Sequence, residues 1–130
     1  MDLQRAIDGF FGYAFEHRIP IYNEFALQFE LALYLRERFK DEKKVELKRN
    51  ISFLGLTRSS FVKKEIDVLV YKSADTFSDI AVIELKAIVN QKIARPINVY
   101  HWIEDLKFLE QLRAAGIGQC ISLFITDNQL

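Results

Sequence analysis

The chain has 130 residues, half of them apolar and 13% aromatic, which suits one domain with a real core and excludes both a two-domain chain and a disordered one. Eighteen Lys and Arg balance eighteen Asp and Glu, so no global charge drives the chain toward nucleic acid or a membrane surface. The balance is local rather than uniform: Lys43, Lys44, Lys48, Arg49, Arg58, Lys63 and Lys64 stand against only Glu46 in the segment they span.

Leu3, Ala6, Ile7, Phe10, Phe11, Ala14 and Phe15 recur at helical spacing and predict a first amphipathic helix, broken by Pro20. Asn23 then reads as an N-cap for a second helix over Phe25 to Phe39. That helix is apolar around most of its circumference until Arg36, which predicts cover on more than one side. Val45, Leu47, Ile51 and Phe53 alternate, giving a first strand from Val45 to Phe53. The segment from Glu65 to Ala87 reads as two apolar strands around a polar turn at Asp75-Thr76. Val99, Trp102, Ile103, Leu106, Leu109 and Leu112 predict one face of a third helix, with Trp102 in the core and Gly116 ending the helix. Gln119 to Thr126 is a last strand, apolar without alternation and so expected at the centre of the sheet. The order is α-α-β-β-β-α-β, an α/β chain with a mixed sheet and a final right-handed crossover. The abrupt stop at Leu130 leads to the expectation that a homodimer partner completes the sheet, or that the chain is part of a larger parent protein.

The hairpin carries the chemistry. Closed at Asp75-Thr76, it sets Asp67 opposite Glu84, and residues two apart on a strand share a face, so Lys86 joins them. Two carboxylates and an amine among Val, Ile and Leu are costly to desolvate, and a hard divalent cation is the usual compensation. An ordinary alternative remains: Glu84 and Lys86 alternate outward on a solvated edge hairpin. No zinc-type Cys/His spacing, glycine-rich phosphate loop or Ser-His-Asp pattern competes with carboxylate–metal chemistry.

An acid on a helix, a strand, an Asp on the second strand, Glu-Leu-Lys on the third, then a helix and a strand resemble the PD-(D/E)XK (restriction endonuclease-like) phosphodiesterase superfamily. The likeness runs from about Asn23 to Thr126, with Ile66 where the family's name places Pro. It implies an αβββαβ core carrying an extra N-terminal helix, in one domain over residues 1–130, and Mg²⁺-dependent hydrolysis of DNA, with Mn²⁺ as a substitute. Asp67, Glu84 and the Leu85 carbonyl would hold the metal; Asp67, Glu84, Lys86 and a helix acid would be catalytic. Glu24 and Glu30 are the candidates for that acid, about 600° of helix rotation apart, and Glu24 is preferred because Gln28 continues its polar stripe. Lys92 and Arg95, after the third strand, and Arg58, Lys63 and Lys64, before the second, are candidate phosphate contacts or ordinary solvated loops. Tyr100 and His101 open the third helix, where an N-terminus favours phosphate. The rival reading is a catalytically inactive nucleic-acid- or protein-binding domain with the same fold. A single Cys120, charges at Asp2, Arg5 and Asp8 where a signal peptide would be apolar, and no membrane-length run lead to the expectation of a cytoplasmic chain.

Overall fold

A computed structural model describes residues 3–89 and 96–126. Among the described residues, three α-helices and a four-stranded mixed sheet form a layered α/β architecture, in the predicted order. None of the helices among the described residues is long and apolar enough to cross a membrane.

Helix α1 (Leu3–Glu16) buries Leu3, Ala6, Ile7, Phe10 and Ala14, the stripe its spacing dictates. Phe15, expected on that stripe, lies about 100° beyond Ala14 and is 89% exposed. Helix α2 (Glu24–Phe39) starts at Asn23, whose Oδ1 accepts from the Ala26 amide at 2.8 Å and satisfies one of the unpaired first-turn donors. Its buried side is Ala26, Leu27, Gln28, Leu31, Ala32, Leu35 and Phe39. The cover is less complete than the sequence predicts, since Phe25, Phe29 and Leu33, spaced four apart, face outward. Together α1 and α2 lie on one face of the sheet, over Val45, Val68, Val70, Ala81, Ile83 and Leu85.

Strand β1 (Lys44–Asn50) ends three residues earlier than predicted. The Asn50 side chain accepts from the Ser52 amide at 2.9 Å, turning Ile51–Leu54 into a 3₁₀ turn that Gly55, at φ +77°, terminates. A local side-chain acceptor has won over the strand ladder. β1 pairs antiparallel with β2 (Glu65–Tyr71), and β2 with β3 (Ala81–Ile88). Helix α3 (Pro96–Ala114) crosses over to β4 (Gln119–Thr126), which runs parallel to β3.

β4 is a correction to the sequence reading. Among the described residues it has β3 as its sole neighbour and so ends the sheet. Its continuous apolar character goes with partial cover on both faces: Ile121, Leu123 and Ile125 are half-buried against the core that α1 and α2 share with the sheet, while Phe124 meets Trp102 of α3 at 5.1 Å. Face cover and the number of hydrogen-bonded neighbours are separate properties. The predicted face of α3 also shifts. Its buried residues are Asp105, Phe108, Leu109 and Leu112, whereas Val99, Trp102, Ile103 and Leu106 are each more than a third exposed. Phe108, Leu109 and Leu112 join Ile66, Leu69, Val82, Ile51 and Ile117 in a second core on the opposite face of the sheet.

The link from α3 to β4 is tight. Gly116 takes φ +106°, and at Gly118 an added Cβ would lie 2.0 Å from the Ser78 carbonyl oxygen. That backbone is held by the Gly118 amide donating to Phe77 O at 2.9 Å, so it cannot easily retreat. Gly118→Ala should therefore cost about 3 kcal/mol, read as a fall in the urea midpoint. An unchanged midpoint would show that the turn has room this geometry denies.

Candidate functional site

The register places Asp67 opposite Glu84, continuing the sequence of pairs Val70↔Ala81, Leu69↔Val82 and Val68↔Ile83. The ladder itself stops before them. On the other side of β2, pairing with β1 runs to Leu47↔Val68, omits Lys48 and Asp67, and resumes at Arg49↔Ile66. Asp67 is thus passed over by both ladders.

Side chains replace the missing rungs. The Asp67 amide donates to Glu84 Oε2 at 2.8 Å, and the Leu85 amide donates to Asp67 Oδ2 at 2.9 Å. Each carboxylate accepts a main-chain N–H from the other strand, so both are structural as well as acidic. Asp67 is 3% exposed and Glu84 1%. The remaining oxygens meet lysines: Lys48 Nζ lies 3.1 Å from Asp67 Oδ1, and Lys63 Nζ 2.5 Å from Glu84 Oε1.

Lys48 gets there through an unusual backbone. It sits inside β1 at φ +57°, a left-handed conformation rare for a residue with a side chain. The strain coincides with the skipped rung and the ion pair to Asp67, as strained residues often accompany functional contacts. Lys48→Gly should be more stable than Lys48→Ala by about 1 kcal/mol, because both lose the ammonium but only glycine accepts this φ freely. Equal midpoints in denaturant titrations of the two variants would show that the strain is absent.

Two further acids converge. Glu24, in the first turn of α2, reaches the carboxyl end of β3, with Oε1 3.6 Å from Lys86 Nζ and 3.4 Å from the Ala87 amide. Glu30 instead lines a groove of about 370 Å³ with Tyr13, Leu33 and Tyr34 between α1 and α2. Asp105 of α3, which sequence reasoning passed over, is 5% exposed and stands 3.0 Å from Lys63 Nζ and 3.6 Å from Lys86 Nζ. The available signal was its place three and four residues before Phe108 and Leu109, on the buried stripe.

The site gathers Glu24, Asp67, Glu84 and Asp105 around Lys48, Lys63 and Lys86. Burial, reinforced by the neighbouring Asp67 charge, raises the Glu84 pKa above the usual carboxylate range, and Lys63 offsets this only in part. Burial pulls Lys63 down, but the Glu84, Asp67 and Asp105 carboxylates outweigh it, and its pKa is raised. It stays an ammonium at neutral pH.

Of the predicted phosphate contacts, Arg58 and Lys64 are exposed and line an open cleft of about 480 Å³ with Asn50, Val62, Lys63 and Glu65. Lys63 directs its ammonium inward to the acids. Lys92 and Arg95 lie outside the described residues. Tyr100 and His101 are exposed on α3, their rings 5.7 Å apart. Trp102, predicted for the core, is 38% exposed against Phe124, because α3 turns Asp105 and Phe108 inward instead.

Hard carboxylate oxygens of Asp67 and Glu84 suit a divalent cation such as Mg²⁺. All four of those oxygens accept from N–H donors here. Among the described residues, no group of three or more His, Cys, Asp or Glu side chains is arranged to hold a metal ion. The donor chemistry fits, while the positive charge in the site comes from lysine. No known protein family, curated protein or solved structure matches the chain.

Proposed function

We propose that this chain is a divalent-metal-dependent nuclease domain of the PD-(D/E)XK type that hydrolyses DNA phosphodiesters. The observation that carries the reading is the convergence of Glu24, Asp67, Glu84 and Lys86, from three separate elements, at a gap in the strand ladder. Four acids and three lysines in so small a volume are more than stability asks of one sheet, and buried clusters of ionisable groups concentrate at functional sites. Asp67 and Glu84 would hold Mg²⁺, with the Leu85 carbonyl as the third oxygen that the family resemblance implies. A bound Mg²⁺ supplies charge for the phosphoryl oxygens and lowers the pKa of coordinated water. Lys86, held between Glu24 and Asp105, keeps its ammonium at the carboxyl end of β3, where it orients the attacking water and counters charge on the phosphate. Arg58 and Lys64 on the cleft wall provide backbone contacts for the nucleic acid.

One observation favours a second reading. Every oxygen of Asp67 and Glu84 already has a protein donor, as expected of an inactive binding domain whose acids survive as structural struts. Incubating the purified chain with plasmid, linear and branched DNA in Mn²⁺, with and without EDTA and beside Glu84→Gln, separates the two. Metal-dependent cutting by the wild type alone supports the nuclease; DNA binding without cutting, indifferent to EDTA and to Glu84→Gln, supports the binding domain.

A further inference from the structure

The loop before β2 is fastened to α3. The Val62 amide donates to Gln111 Oε1 at 2.9 Å, and the Phe61 ring meets Phe108 edge-on at 6.3 Å. Lys63 then passes over the Phe108 ring, 5.6 Å from its centroid, and inserts its ammonium between Glu84 Oε1 and Asp105 Oδ1. Its side chain is 22% exposed, against 47% for Lys48 on Asp67. Lys48 can therefore leave Asp67 into solvent, while Lys63 is built into the wall.

The two Glu84 oxygens are not equivalent. Oε2 is tied to the Asp67 amide and replaces a rung of the sheet, whereas Oε1 is held by the Lys63 ammonium, the partner that a cation can exchange with. Among the described residues Asp105 pairs with Lys63 and Lys86 and with no strand amide. A carboxylate buried on the apolar stripe of α3 is costly unless its partners stay.

We propose that Lys63 is a built-in counterion of Glu84 that a divalent cation displaces, and that Asp105 is the carboxylate that keeps the displaced ammonium beside the site. The inference rests on the metal-dependent reading above and adds to it the group with which a cation would compete for Glu84. Lys63 remains close to the cation, on Asp105, after the exchange. Asp105 is in these terms a positioning residue that acts through Lys63.

The test is Mn²⁺ binding to the full chain by isothermal titration calorimetry, with folding checked by circular dichroism. Lys63→Met removes the competing charge at similar volume and should bind Mn²⁺ about tenfold tighter than the wild type, whereas Glu84→Gln should abolish binding. Lys63→Arg holds a carboxylate through two donors and should bind several-fold weaker, which keeps the proposal testable if the methionine variant does not fold. Asp105→Asn should weaken binding, and the double variant with Lys63→Met should match Lys63→Met alone. Binding abolished by Glu84→Gln but unchanged or weakened in Lys63→Met, or equal to wild type in Lys63→Arg, overturns the counterion while leaving the metal site standing. A double variant weaker than Lys63→Met would make Asp105 a direct donor and overturn its retaining role. Absence of Mn²⁺ binding in both wild type and Lys63→Met removes the metal reading and this inference together.

Discussion

Glu84→Gln is expected to fold and to lose cleavage by at least about a hundredfold, the scale set by removing one well-placed charged or donor group from a catalytic site. The amide is the informative replacement because Glu84 has two jobs. Its Oε2 closes the gap between β2 and β3 by accepting from the Asp67 amide, and a glutamine oxygen can still do so. Its Oε1 faces Lys63, where a neutral amide supplies neither the charge for the lysine nor a strong donor for a metal. Lys63 keeps Asp105 at 3.0 Å, so one strong partner remains. The stability loss should be about 1–3 kcal/mol, the cost of one poorly satisfied buried group. Glu84→Ala strips the Asp67 amide and Lys63 of their acceptor at once, and should cost nearer 3–5 kcal/mol. An alanine variant therefore confounds chemistry with folding. A Glu84→Gln protein that cuts DNA at the wild-type rate would remove the nuclease assignment.

Phe108→Ala should lose about 3–5 kcal/mol of stability, as much as Glu84→Ala, against the 5–15 kcal/mol typical of a whole domain. Phe108 is fully buried, packs in the core shared by Ile66, Leu69, Val82 and Leu112, and supports the loop that brings Lys63 to the acids. Leu106, two residues earlier on α3, is 37% exposed, and its alanine variant should cost under about 1 kcal/mol. Urea unfolding of the pair measures which face of α3 meets the sheet. Comparable losses in both would mean that the helix is rotated from the orientation that buries Asp105.

The hairpin was legible because it depends on counting: one turn cluster, two apolar strands and a fixed sum of residue numbers place Asp67 across from Glu84. The Asn23 cap and the buried stripe of α1 follow equally local rules. What the pattern concealed was competition between neighbouring apolar stripes. Helix α3 carries apolar residues on two sides, and periodicity alone chose the one through Trp102 and Leu106 rather than the one through Phe108. That choice also hid Asp105, since an acid on the losing stripe reads as solvated. β4 was placed centrally because cover on two faces was taken for pairing on two edges. The left-handed Lys48 and the inward Lys63 have no local sequence signal; both are set by acids nineteen and twenty-one positions away.

The exchange of main-chain hydrogen bonds between Asp67 and Glu84 limits how this sequence can drift. In most enzymes a catalytic acid can be lost without harm to the scaffold, and descendants that abandon the reaction replace it freely. Here each carboxylate substitutes for a rung of the sheet, so the fold holds the position whatever its chemistry. Divergent chains without these acids would be confined to the isosteric amides, Asn at 67 and Gln at 84, or would have to mend the ladder by restoring ordinary strand pairing. Retained acids at these two positions are consequently a weaker sign of activity than a retained Lys86, whose ammonium pairs among the described residues with Glu24 and Asp105 and with no strand amide.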